Sequence, residues 1–193
     1  MTSRQPRLIV VGDYPGSGTT SIAGRLAADL RLPRLNSDMI GDTVRASRAI
    51  AGTGVNAIWL AYDIVFDLCA QFVQSGVSAI LDLNMGWAFQ WQRLDGLRVQ
   101  HPALSCSIII LRCPREVCHT RIRMRQPSDS GADAADAAER FEIEPRFFEL
   151  WQFIEQLDRP DSQSIDAARP FDAVYNDVSL VVTRPATLAT EQP

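Results

Sequence analysis

Lysine is absent from this chain of 193 residues: all 19 basic residues are arginine. No ammonium side chain is therefore available at any site, and the planar guanidinium fork differs from one in shape and hydration. Cysteine is sparse, and Cys69, Cys106, Cys113 and Cys118 show no C-x-x-C spacing. Cys106 and Cys113 fall within or at the end of an apolar run, so buried thiols are expected rather than a disulfide set or a zinc site. His101 and His119 have no partners at metal-ligand spacing and are assigned no role. A basic surplus is also missing: the formal net charge of −4 argues against a broad surface for gripping nucleic acid. Apolar stretches are broken by Asp or Gln before they reach bilayer length, so no membrane span is expected. Met1 to Arg7 lacks the apolar core of a signal peptide, which points to a cytoplasmic chain.

What is present is an ordinary globular composition, 46% hydrophobic and 22% charged, at a length suited to one well-cored domain. That domain is expected over residues 1–183, with a loose tail over 184–193. Near its start, the apolar run Leu8-Ile9-Val10-Val11-Gly12 enters Asp13-Tyr14-Pro15-Gly16-Ser17-Gly18-Thr19-Thr20, and an amphipathic helix follows at once. This is the strand–loop–helix of a phosphate-binding P-loop. Gly16 and Gly18 allow successive backbone N–H groups to converge on a phosphate at a helix N-terminus. Pro15, Gly16, Ser17, Gly18, Thr19 and Thr20 are accordingly the candidate nucleotide-binding residues, with Thr20 at the magnesium-binding hydroxyl position. Asp13 replaces the motif's first glycine, and Thr19 replaces the lysine that would reach the outer phosphates.

Periodicity along the chain predicts alternating strands and helices. Strands are expected at Arg7–Gly12, Pro33–Asp38, Val77–Asp82 and Ser105–Arg112, with a last one within Phe171–Thr183. Helices are expected from about Gly18 to Leu30, Ala57 to Ser75 (stopped by Gly76), Trp87 to Leu97 and Pro114 to Arg125. Gln126 to Asp136 has the composition of a mobile loop. A further helix over Ala137–Leu157 is expected to kink or split at Pro145. The class is α/β with a parallel sheet covered on both faces. In such sheets ligands gather at the C-terminal strand ends, where Gly12, Asp38, Asp82 and Arg112 all fall.

Each candidate has a plain structural alternative. Asp38 suits a general base facing an acceptor hydroxyl, or a helix N-cap for Met39 onward. Asp82 suits a magnesium-holding carboxylate, or simply a polar strand end. Arg121 and Arg125 share a helix face and could clamp phosphates, or form a solvated basic surface pairing with acids between Asp129 and Glu144. Arg123 points elsewhere on that helix. Trp87, Phe89 and Trp91 alternate after Asp82, near the expected acceptor pocket, with core packing the plainer role for at least one of them.

Over about residues 6–127, with a weaker echo at Phe171–Asn176, the chain resembles the P-loop kinases that include chloramphenicol phosphotransferase, zeta toxins and polynucleotide 5′-kinase domains. The resemblance rests on Pro15-Gly16-Ser17-Gly18 with Thr20, on Asn36-Ser37-Asp38, on Ile80-Leu81-Asp82 with Arg93, and on Arg112-Cys113-Pro114 with Val117, Arg121 and Arg125. It implies a nucleoside-kinase-like three-layer sandwich that uses ATP and Mg²⁺. It also implies Asp38 as catalytic base, Thr20 and Asp82 at the metal, Asn84 and Arg93 on the acceptor side, and Arg121 and Arg125 in a lid at about 121–136. Thr19 departs from the family's lysine, and Gly41 stands where polynucleotide kinase relatives often carry Arg. The function expected is an ATP-dependent kinase for a hydroxyl of a small molecule. The alternatives are a catalytically silent nucleotide-binding protein acting on a partner and, less well supported, a polynucleotide 5′-kinase. Neither the acceptor nor the oligomeric state follows from the sequence.

Overall fold

A computed structural model describes residues 5–124 and 144–183. Its framework is one five-stranded sheet in the order β2-β3-β1-β4-β5. The strands are β1 (Arg7–Gly12), β2 (Arg34–Asn36), β3 (Ala79–Leu83), β4 (Ser105–Arg112) and β5 (Ser162–Asp166). Every pairing is parallel, so each connection is a crossover, and the described crossovers carry helices. These are α1 (Thr19–Leu30), α2 (Ser37–Ala46), α3 (Ala57–Gln74), α4 (Ala88–Gln100), α5 (Arg115–Arg123), α6 (Pro145–Glu155) and α7 (Phe171–Thr183).

The three central strands are apolar because helices cover both of their faces. Leu8 to Val11, Ala79 to Leu81 and Ile108 to Leu111 are all buried. Helix α3 is long and apolar enough to cross a membrane by composition. It directs Ala61, Tyr62, Val65, Phe66, Cys69 and Val73 into the protein interior. It ends as Gly76 predicts: Gly76 takes φ +73°, its N–H bonds the Val73 carbonyl, and Val77 N–H reaches back to Phe72. That pair of bonds is a Schellman stop. The described cysteines are free thiols, three of them buried.

Two expectations are corrected. Strand β2 is only Arg34–Asn36, and Asp38 belongs to the first turn of α2. Asn36 is the cap: its Oδ1 accepts from Met39 N at 2.8 Å. Asp38 is thus neither a strand end nor an N-cap. Pro145 opens α6, as a split at this proline predicts, because proline needs no N–H partner in a first turn; residues 137–143 lie outside the described residues. Finally, Phe171–Thr183 is a helix and contains no strand. Its β-branched residues suggested a strand, but Val174, Val178 and Val182 are buried at helical spacing. The fifth strand is Ser162–Asp166, at the sheet edge, where Ile165 is the one buried side chain. So polar a segment carries no apolar signal of its own; β4 pairing creates it.

Candidate functional site

The P-loop leaves β1 between β3 and β4, where the crossover from β1 turns to the β2 side of the sheet and the one from β3 turns to β4. Gly16 and Gly18 adopt φ +91° and +105°. At Gly16 a side chain is also excluded sterically, since a Cβ would lie 2.5 Å from the Cys118 carbonyl oxygen of α5. Gly18 begins α1 with no capping side chain, so the helix presents first-turn N–H groups at the loop mouth. Among the described residues the buried Ser17 hydroxyl has no hydrogen-bond partner. A buried orphan hydroxyl in an anion-binding cradle fits a phosphate group.

Asp82 closes the same edge. It is 2% exposed and accepts a hydrogen bond from Asn36 Nδ2 at 2.6 Å. Burial pushes its carboxyl up to about 6, against the opposing pull of Asn36, Arg34 and a hydrogen bond with Thr20. Thr20 and Asp82, 62 residues apart by number, are drawn to one place by Arg34, whose guanidinium reaches the Thr20 carbonyl at 3.0 Å and lies 3.8 Å from Asp82. A hydroxyl and one carboxylate beside phosphates suit Mg²⁺, which keeps several waters and takes few protein ligands. Among the described residues no cluster of three or more His, Cys, Asp or Glu offers an alternative metal cage.

Two arginines flank the loop where lysine is missing. Arg121 donates to the Ser17 carbonyl at 3.3 Å and to the Ala168 carbonyl at 3.5 Å. Arg34, which sequence reasoning missed, donates to the Thr20 carbonyl at 3.0 Å and lies 3.8 Å from Asp82. Its signal was present: in the alternating Arg34-Leu35-Asn36, residues 34 and 36 share a face. Arg112 serves structure, donating to the carbonyls of Ile154 and Leu157 at the end of α6. Arg125 and most of the expected lid at 121–136 lie outside the described residues, as does the tail at 184–193.

Asp13 is a second buried carboxyl, 3% exposed at the root of the loop. Burial pushes it up to about 8, with the Tyr14 N–H and Arg112 pulling the other way. A carboxyl raised in the folded state stabilises the protein below its unfolded value, and that contribution is lost as pH rises through the folded one. The window runs from about 4 to about 8. Asp13→Asn should therefore leave stability little changed at pH 4 and raise it at pH 8.5 by up to several kcal/mol, at ~1.4 kcal/mol per pH unit, seen as a higher melting temperature. Parallel wild-type and variant melting curves across that range would show this; a constant offset would refute it.

Beside Gly18, a cavity of about 220 Å³ is lined by Ser17, Arg121, Ala167, Arg169, Phe171 and Val174 among others. On the opposite side of Asp82, residues from α2, α3 and the β3–α4 turn converge. Asn84 Nδ2 donates to the Tyr62 hydroxyl at 2.7 Å. Burial pushes that hydroxyl up to about 12; the Asp38 charge adds to the rise, and hydrogen bonds from Asn84, Ser37 and Trp87 oppose it. The structure thus brings Asp38 and Asn84 together around Tyr62, whose part the sequence did not reveal. Arg93 is drawn elsewhere, pairing with Asp63 at 2.8 Å and Asp67 at 3.8 Å on α3. Trp91 is buried in the core, its indole N–H on the Met85 carbonyl. A larger hollow of about 450 Å³ lies at the opposite edge of the sheet, against Pro6, Gly76 and His101, remote from these groups.

A parallel sheet in this order, with a glycine-rich loop from its central strand into a helix, defines an α/β P-loop NTPase fold. Within that class the chain belongs to the AAA_33 family of AAA domains, whose model matches residues 8–146. No curated protein matches the sequence. Solved structures similar to it include a protein of Chloroflexus aurantiacus j-10-fl assigned as a kinase, 20% identical with a TM-score of 0.63, covering 93% of this chain and 97% of that one. A sugar kinase of Janibacter sp. HTCC2649 is 17% identical with a TM-score of 0.61, covering 92% and 94%. A gluconokinase of Sinorhizobium meliloti 1021 is 17% identical with a TM-score of 0.55, covering 93% and 95%. At such identities the likeness is one of fold.

Proposed function

We propose that this protein is an ATP-dependent phosphotransferase acting on a hydroxyl of a small molecule. The observation that carries the reading is the convergence of Thr20 and Asp82 on Arg34 at the P-loop mouth, with Asp38 exposed on the adjoining helix start. The kinase names of the structural relatives agree with it.

In this reading the P-loop amides and the Ser17 hydroxyl hold the β- and γ-phosphates. The cavity between Arg121 and Phe171 takes the base. Thr20 would hold Mg²⁺ directly, and Asp82 directly or through water. The ion would supply charge neutralisation on the phosphate oxygens. Asp38 accepts the acceptor's hydroxyl proton as the new oxygen–phosphorus bond forms and the bond to the leaving diphosphate breaks. Arg121, with Arg125, neutralises charge on the transferred group. Arg34 and Arg121 supply positive charge on the two sides of a loop that has Thr19 in place of lysine. Gly41 is buried, with a Cβ there 3.6 Å from that of Ala61. Glycine stands here where polynucleotide kinase relatives often carry arginine, which weighs against a nucleic-acid 5′ end.

A catalytically silent nucleotide-binding protein is the second reading, and Thr19 is what favours it. Calorimetric titration of Mg·ATP into the natural protein and into Thr19→Lys separates the two. Micromolar to sub-millimolar binding by the natural protein is the expected result. Binding by the lysine variant alone would mean a degenerate site on an intact scaffold and would end the kinase reading.

A further inference from the structure

We infer that the acceptor is an uncharged hydroxylated ring compound, of sugar or cyclitol type, seated against an aromatic wall centred on Trp59. This rests on the kinase reading, whose acceptor side it specifies. Four rings from α3 and the start of α4 form the wall. Trp59 packs edge-on to Trp87, with centroids 5.7 Å apart, and to Phe89 at 5.3 Å. It lies tilted on Tyr62 at 5.9 Å, and Tyr62 meets Phe89 edge-on at 5.5 Å. Edge-on neighbours fix the indole without stacking on it, and Trp59 remains 45% exposed. A rigid ring with an open apolar face suits the C–H face of a saturated ring.

The wall is continuous with the candidate chemistry. The Tyr62 hydroxyl that ends it accepts from Asn84 and lies within reach of Ser37, Trp87 and the charge of Asp38. A ring resting on Trp59 and Tyr62 would therefore present its hydroxyls to Asn84 and Asp38. A second copy of the chain would cover Trp59 equally well, but it would give these polar groups no task.

Charge decides what kind of ring. Helix α3 has no arginine and carries Asp63 and Asp67; α2 adds Asp38 and Asp42. The arginines of the framing helices are committed: Arg45 to Asp42, Arg93 to Asp63, Arg98 to Asp161. Among the described residues of these three helices, an acceptor bearing carboxylate or phosphate would meet the aspartates and find each arginine already paired. That separates this chain from its gluconokinase neighbour despite the shared fold.

Saturation-transfer NMR on the full chain with a non-hydrolysable Mg·ATP analogue tests binding without needing turnover. Methyl glucoside and myo-inositol are the neutral probes; gluconate and glucose 6-phosphate are the anionic ones. Signal from a neutral probe alone is expected. It should weaken about three- to tenfold in Trp59→Ala, the range of one aromatic contact, and recover in Trp59→Phe. Asp38→Asn should still bind the ring. Preferential binding of an anionic probe, silence from both neutral probes, or ring binding indifferent to Trp59→Ala would each overturn the inference. So would a wild-type dimer that Trp59→Ala dissociates, because the face would then belong to a second copy. The kinase reading fails separately, through loss of Mg·ATP binding in the calorimeter.

Discussion

Asp38→Asn is expected to lower phosphoryl transfer by about 10²–10⁴-fold, the range for a positioned general base, while leaving Mg·ATP affinity within about twofold. The substitution is clean for a structural reason. Asn36, not Asp38, caps α2, and Asp38 is exposed, so the amide removes a proton acceptor without uncapping the helix or opening the core. Single-turnover transfer to the acceptor and calorimetric ATP affinity should be measured on the same preparation. Equal loss of both would mean that Asp38 organises the nucleotide, and its role as base would be withdrawn.

Arg121→Ala should lower kcat by about 10²–10³-fold, toward the lower end of what an arginine facing a transferring phosphoryl group supplies. Arg123→Ala should stay within about twofold, since Arg123 is exposed while Arg121 bridges the P-loop to the loop after β5. Arg121→Lys should recover only part of the loss: the charge returns, but an ammonium cannot reproduce the planar fork that spans the Ser17 and Ala168 carbonyls. A thermal melt accompanies the kinetics, because those two carbonyl contacts also hold structure. The reverse order of the two alanine variants would remove Arg121 from the phosphate site.

These two predictions differ in how much of their basis could be read in advance. The P-loop that Arg121 contacts is legible because short-range rules govern it. Strand, glycine turn and helix are consecutive in the chain, and a cradle for phosphate is built from neighbouring amides. Gly76 stops α3 by the same kind of local logic. Asp38 falls one element later than the sequence suggests: a three-residue strand and a helix cap at Asn36 leave no clear periodic signal. The segment Phe171–Thr183 mixes β-branched content with the four-residue spacing of Val174, Val178 and Val182, and burial of those valines decides for helix.

By itself the sequence determined the α/β class, the glycine-rich strand–loop–helix that runs into Thr19 and Thr20, and the absence of any lysine. Those properties reside in consecutive residues or in composition. Tertiary structure alone decided that Arg34 reaches Thr20 and Asp82, that Asp13 is a buried carboxyl raised to about 8, and that Arg93 is spent on α3. It also decided that Trp59 and Tyr62 share one wall with Asn84 and Asp38. Each of these depends on which helix face meets which strand end. That is set by packing the whole sheet, and no local pattern of residues encodes it.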